Sequence, residues 1–387
     1  MHDRRSPETG LNHSLPVDPI GGVQLSRLTT FELGGDALRF CEASTDSQVE
    51  AAARWAEQRE LELFVLGGGS NLLVADSGVE GLVLRMASTG IWLDEQATSV
   101  LVRANAGVPW DDLVQFAVER DLVGIECLSG IPGSVGATPI QNVGAYGQEI
   151  SQTLTRVTAY DRLERRQVTL ERDECRLSYR SSRFKTEAPN RYIILNVEFE
   201  LLRRSPASPR HPELAARLTT LGGRQPSARD VRAAVLDLRA CKGMLSTPEQ
   251  PIQRSAGSFF VNPIVETSFA QRLSLRHGAG MPIFGLEDGK TKLSAAWLIE
   301  NSGIKRGTRG TRAGVSPHHC LVIVAYESAS AVDVVSFARH VRDTVAATFG
   351  VVLQPEPNFW GFQSFEHGLP VLAPPLHPVA TPTSVTT

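Results

Sequence analysis

At 387 residues, with 42% apolar and 21% charged residues and a formal charge of −3, the chain has an ordinary globular composition and enough length for two or three domains. That charge balance gives no basic surplus for nucleic acid, no apolar run approaches the roughly 20 residues of a membrane span, and the polar start MHDRRSPETG lacks a signal-peptide core. We therefore expect a cytoplasmic protein with no nucleic-acid partner and no membrane insertion; oligomeric state stays open, with a monomer favoured.

Residues 1–20 read as a polar tail. Val49, Ala52, Ala53 and Ala56 then keep helical spacing behind the candidate cap Thr45, and LELFVL (61–66) reads as a buried strand running into the turn GGGSN. The strands GLVLRM and SVLVRA follow, then a helix around Trp110, Leu113, Val114 and Ala117, an α+β pattern. A second segment, ending near 203, holds the strands LTRVTAY and RYIILNVEFEL, after which RRSPASPRHP (203–212) breaks all periodicity beside a domain junction. Ser227 with Asp230, and Ser330 with Asp333, have capping-box spacing before two amphipathic helices, and Gly350 is placed to stop the second. VVLQPEPNF (351–359) reads as a strand returning to the first domain, and the Pro/Thr-rich end as a second tail. The expected division is 1–20, 21–88, 89–225, 226–350, 351–363 and 364–387.

Five stretches carry candidate chemistry. Gly67, Gly68 and Gly69 directly after a strand let backbone approach an anion, with Ser70 and Asn71 as further donors; a purely structural turn is the alternative. SGIPGSVGATPIQNVGAYG (129–147) has Gly133, Gly136, Gly144 and Gly147 among Ser134, Thr138, Gln141 and Asn142 and no charged side chain, which suits wrapping a pyrophosphate. LSYRSSRFK crowds Tyr179, Arg180, Arg183 and Lys185; Arg180 suits a carboxylate, or the cluster is a solvated face. Glu356, between two prolines in LQPEPNF, is suited to acid chemistry if buried, or caps an edge. In RSAGSFFVNP (254–263), the hydroxyl of Ser258 beside Gly257 and an apolar pair needs either a backbone or a ligand partner. The five cysteines and nine histidines are scattered, so neither a disulfide framework nor a metal site is expected, and His318 and His319 read as surface residues.

In this order, GGGSN, IPGSVGATPIQNVGAYG, YRSSRFK, AGSFFVNP and PEPNF closely resemble the UDP-N-acetylenolpyruvoylglucosamine reductases, flavoenzymes of peptidoglycan synthesis, over roughly residues 25–363. The resemblance implies an FAD-binding domain of the vanillyl-alcohol oxidase type in two subdomains (21–88 and 89–225) and an α/β substrate-binding domain (226–350). It implies noncovalent FAD reduced by NADPH, held by the two glycine-rich segments, and hydride delivery to the enolpyruvyl carbon distal to the ether. Arg180 and Glu356 would stabilise the enolate-like intermediate and Ser258 would deliver the proton. Tyr179, Lys242 and Asn262 match substrate-binding positions. His211, in HPEL, stands where many relatives carry a loop tyrosine that folds over the substrate diphosphate, and Ala296 stands where glycine is common.

Overall fold

The computed structural model describes residues 18–203, 211–219, 224–245, 253–278, 280–286 and 289–371. Most of both expected tails and of the 203–212 loop lies outside them. The architecture is α+β. Its first unit is a four-stranded sheet in which Asp36–Ala43, Val79–Met86 and Glu62–Leu66 run parallel and Val23–Gln24 adds an antiparallel edge. Parallel strands need a crossover, and helix α1 (Asp46–Glu57) supplies it: Thr45 caps it by accepting from Gln48 N, and Val49, Ala52, Ala53 and Ala56 are its buried face.

A second sheet is antiparallel, ordered Arg166–Glu171, Leu154–Asp161, Tyr192–Arg203, Ser99–Asn105, Ile91–Glu95. Helix α2 (Trp110–Glu119) lies on it and sinks Trp110 edge-on to Phe199, ring centroids 5.8 Å apart. Trp110 is 1% exposed and its indole donates to Leu128 O, so this large ring is buried without an orphaned N–H. The short helices α3 (Arg183–Thr186) and α4 (Pro212–Leu218) border the site described below. Helix α5 (Ala228–Cys241), with the expected capping box at Ser227 and Asp230, buries Val231, Val235 and Leu238 against Cys127 and Leu214. Arg232 pairs with Asp111 of α2 in a two-pronged ion pair at 2.6 and 2.8 Å, so α5 is packed on the second sheet's unit.

The remaining unit joins a three-stranded antiparallel sheet (Ile264–Glu266, Lys290–Leu293, Ile283–Gly285) and the hairpin Ala313–Val315/Ile323–Ala325 to helices α6 (Thr267–His277), α7 (Ala295–Asn301) and α8 (Ala331–Phe349). Ser330 and Asp333 form the second capping box and Gly350, at φ 68°, ends α8 in the left-handed region. Phe31, Leu33 and Leu73 of the first unit enter this unit's core. The expected strand over 351–359 is reduced to Asn358–Trp360, which does return to the first unit, parallel to Leu72–Val74. Pro355 and Pro357 flank Glu356 and have no N–H to donate, so no regular ladder extends through them. The C-terminal tail begins later than expected: Leu369 is fully buried, and Arg339 and Arg342 bond to Pro370 O and Glu366 O. Among the described residues no helix is long and apolar enough to cross a membrane.

Asp76, in the turn after Leu72–Val74, reaches across to α8 and accepts from Ala331 N at 2.8 Å and Val332 N at 3.3 Å. It thereby satisfies two first-turn amides from another unit and complements the helix dipole. Asp76→Ala is expected to cost about 1 kcal/mol, the usual loss on removing a cap, read as a lower urea midpoint with flavin content unchanged.

Candidate active site

One cavity of about 730 Å3 runs between the three units and collects most of the predicted residues. Gly67, Gly68, Gly69, Ser70 and Asn71 follow strand Glu62–Leu66 and meet the 129–147 segment face to face. A Cβ on Gly67 would lie 2.5 Å from Ser134 Oγ, and one on Gly68 would lie 2.8 Å from Gly133 Cα. Gly69 is fixed by conformation as well: φ is +63°, and a Cβ would stand 1.9 Å from Leu28 O. Among the described residues, the amides of Gly68, Gly69, Ser70, Gly133 and Ser134 donate to no backbone carbonyl. Five adjacent unpaired N–H groups in a cavity wall form an anion cradle.

The side chains of these segments serve mostly to hold that cradle. Ser70 Oγ donates to Pro132 O at 3.1 Å, and Thr138 Oγ1 to Val135 O at 2.8 Å. Asn142, fully buried and at φ +45°, donates to Glu149 Oε2 and Ser178 O. Asn71 Nδ2 bonds to Gln141 Oε1 (3.0 Å) and Glu356 O (3.3 Å). Gly136 and Gly144 line the cavity, whereas Asn142 and Gly147 stand behind its wall.

Arg180, Ser258 and Glu356 line this same cavity. Arg180 has φ +52°, an unusual conformation for a side chain of its size. It sends Nη2 to Gly144 O at 2.9 Å and holds Nε 3.1 Å from Glu356 Oε1, an ion pair rather than an aligned hydrogen bond. Glu356 is 12% exposed. Burial pushes its carboxyl above the usual range, opposed by the charges of Arg180 and Lys185. Ser258 follows Gly257, whose φ of +70° and open Cβ direction leave the wall bare there. Phe259 and Phe260, at 0 and 1% exposure, anchor the segment, and Glu356 N donates to Phe259 O at 2.8 Å. The segment is extended and joins Val322 and Pro355 by single bridges, with further backbone bonds from Ser255 N to Thr30 O and from Leu293 N to Pro263 O. The hydroxyl of Ser258 has no hydrogen-bond partner among the described residues, as a ligand-facing group would have none.

A second group of polar side chains occupies another part of the wall. His211 packs edge-on to Tyr146, ring centroids 5.3 Å apart, with Nδ1 buried and unpartnered among the described residues. Burial pushes the imidazole pKa down, against the pull of the Glu213 carboxylate, and Lys242 adds to the downward push. Lys242 caps the C-terminus of α5, bonds to Glu213 at 2.5 Å and sits over the Tyr146 ring. Tyr179 and Asn262 stand outside the lining: Asn262 N donates weakly to Tyr179 Oη (3.4 Å), and Asn262 Oδ1 accepts from Ala295 N, capping the start of α7.

Three lining residues escaped the sequence reading. His319 is half-buried, not on the surface, and accepts from Leu321 N at 3.1 Å through Nδ1, which assigns the ring proton to Nε2. Arg239, 8% exposed, gives Nε to Gly130 O. Arg162 bonds to Asn190 O. Only the position of Arg239 three residues before Lys242 held a signal, since the same helix end carries both. Among the described residues no group of three or more His, Cys, Asp or Glu side chains is arranged to hold a metal.

Known proteins match this arrangement along nearly the whole chain. Residues 37–164 match the FAD binding domain family and residues 249–360 the C-terminal domain of UDP-N-acetylenolpyruvoylglucosamine reductase. The chain is 44% identical over 365 residues to the UDP-N-acetylenolpyruvoylglucosamine reductase of Streptomyces avermitilis, covering 92% of this chain and 98% of that one. It is also 44% identical to that of Thermobifida fusca, covering 88% and 97%. The crystal structure of the Thermus caldophilus reductase superposes with a TM-score of 0.60 at 25% identity, over 89% of this chain and 99% of that one. Identity at this level across full length, with both halves of the cavity wall inside the matched regions, means that the chain belongs to the UDP-N-acetylenolpyruvoylglucosamine reductase family.

Proposed function

We propose that the cavity is the catalytic centre at which this chain reduces the enolpyruvyl group of UDP-N-acetylglucosamine enolpyruvate to UDP-N-acetylmuramate, with NADPH as donor and FAD as carrier. The reaction class follows from family membership. The residue roles rest on one observation: Arg180, Ser258 and Glu356, from three distant parts of the chain, line one cavity beside an amide cradle. We keep the division into two FAD-binding subdomains and a substrate-binding domain, and we place the enzyme in the cytoplasm, where NADPH and nucleotide sugars are available.

The cradle fits a dinucleotide diphosphate, because Gly67 and Gly68 let the two glycine-rich segments close to within a Cβ of one another and leave their amides without backbone acceptors among the described residues. Gly67–Asn71 and the 133–144 stretch would hold FAD, which when bound accepts hydride from NADPH and passes it to the substrate. No cysteine or histidine lies in either segment, so attachment is noncovalent. Arg180 places a fixed cation where substrate carboxylate charge grows, and its αL backbone aims the guanidinium without reorganisation. Burial lets Glu356 keep its proton to higher pH than an ordinary carboxyl, and the charges of Arg180 and Lys185 oppose that shift. Ser258, without a hydrogen-bond partner among the described residues, is positioned to hand a proton to the carbon next to the one reduced. Lys242, His211 and the His319 Nε2–H supply donors for the substrate diphosphate, with Tyr179 and Asn262 supporting the wall behind them.

Purified protein is expected to be yellow, to release FAD into the supernatant on heat denaturation, and to oxidise NADPH rapidly only with the enolpyruvyl nucleotide present. Flavin left on the precipitate, or NADPH oxidation indifferent to that nucleotide, would sink the reading. For His211→Ala we expect KM for the nucleotide to rise more than kcat falls, the signature of lost uniform binding. An unchanged KM would remove His211 from the diphosphate site.

A further inference from the structure

Lys185 is a cation that the roles above leave unused. It lines the same cavity as Arg180 and Glu356 and is half-buried. Its backbone is firmly placed: Ser182, 1% exposed, accepts from Lys185 N at 3.2 Å and donates to Ile140 O at 2.6 Å, which fastens α3 to the 139–141 turn. That turn carries Gln141, whose amide approaches Glu356 Oε1 at 3.4 Å. Helix, turn and carboxylate are thus joined in sequence. Among the described residues the ammonium has no acceptor within hydrogen-bond or ion-pair distance, although the charges of Glu356 and Arg180 act on it.

A half-buried ammonium without a contact partner is costly unless a nearby opposite charge offsets its desolvation. Burial pushes the Lys185 ammonium pKa down, and Arg180 pushes the same way, while the carboxylate of Glu356 pulls it back up. The charge of Lys185 in turn opposes the burial that raises Glu356. The titratable or charged groups facing Glu356 are Arg180, Lys185 and Tyr179; Asn71, Gln141 and Ser258 are neutral. Arg180 is already committed to Gly144 O and sits in contact with Glu356, so Lys185 is the cation that adjusts the carboxyl without touching it. We infer that Lys185 is a positioning residue for the reaction, whose ammonium, acting with Arg180 across the cavity, sets the proton occupancy of Glu356. The inference rests on Glu356 being a reaction carboxylate.

The sign follows from charge alone. Removing an attracting cation makes the carboxyl hold its proton to higher pH, so the limb of the rate profile that reports Glu356 moves upward, whether its acid or its base form is required. The experiment follows reoxidation of the NADPH-reduced holoenzyme by the enolpyruvyl nucleotide against pH in wild type, Lys185→Met, Lys185→Gln, Lys185→Arg, Glu356→Gln and the Lys185→Met/Glu356→Gln double variant. The Glu356 limb is the one missing from Glu356→Gln. Lys185→Met and Lys185→Gln should shift it upward by about one unit or more, as expected for an opposite charge at close range. Lys185→Arg should leave it within a few tenths of a unit, and in the Glu356→Gln background removing Lys185 should move no limb. With circular dichroism and FAD content normal, an unmoved limb in both neutral variants overturns the inference, and so does a shift that persists without Glu356. If Glu356→Gln itself keeps the wild-type profile, the reading of Glu356 falls first, and the inference falls with it.

Discussion

Ser258→Ala is expected to be bleached by NADPH at a near wild-type rate and to retain FAD, yet to lose at least a hundredfold in reoxidation by the enolpyruvyl nucleotide. NADPH needs only to reach the bound flavin, and no substrate carbon is protonated in that half. The second half ends with a proton arriving at a defined carbon, and a positioned general acid contributes about 10²–10⁴-fold. Among the described residues the hydroxyl has no hydrogen-bond partner to lose, while Phe259 and Phe260 anchor the segment by burying, at about 1.5–3 kcal/mol each, their full side chains. Alanine should therefore leave the local backbone in place. Stopped-flow absorbance of the flavin reads both halves on one sample. Equal slowing of both would make Ser258 a support for the wall, and no slowing would move proton delivery to Glu356 or a bound water.

Arg180→Met should give the other large effect, a loss of about 10²–10³ in the same half-reaction, the usual cost of removing one preorganised donor to developing charge. Glu356 loses its contact cation at the same time, so its carboxyl keeps its proton to still higher pH. Arg180→Lys restores charge but not the planar fork, and the αL backbone at φ +52° aims a shorter cation from the same place. Partial rescue by lysine is expected. Arg180 also ties down Gly144 O, so FAD stoichiometry is the decisive control: loss of flavin together with equal slowing of both halves would make Arg180 a fastener of the glycine-rich loop.

Much of this site was legible because its signals are local. The glycines at 67–69 follow an apolar strand, and a turn against Leu28 O at φ +63° admits no other residue at Gly69. Thr45, Ser227 and Ser330 cap helices because a short side-chain oxygen can reach an amide three residues on, a matter of spacing alone. The strand Asp36–Ala43 was invisible for the complementary reason. DALRFCEA has weak β character, and it becomes a strand only because its parallel neighbour Val79–Met86 supplies the ladder.

The order of the motifs, the absence of charge from 129–147, the capped starts of three helices and the family resemblance were readable in the sequence, because all depend on residue type and short-range spacing. Tertiary structure alone decided which side chains face the ligand. Ser70, Thr138 and Asn142 have donors as good as any, but their hydrogen bonds go into the scaffold and leave backbone amides for the cavity. Asn71 meets Gln141 across 70 residues and Glu356 O across 285, and no local rule sets such pairings. His319 and Lys185 enter the wall for the same reason: their environment is made by segments that only packing brings beside them, and burial and charge depend on those neighbours rather than on the residues themselves.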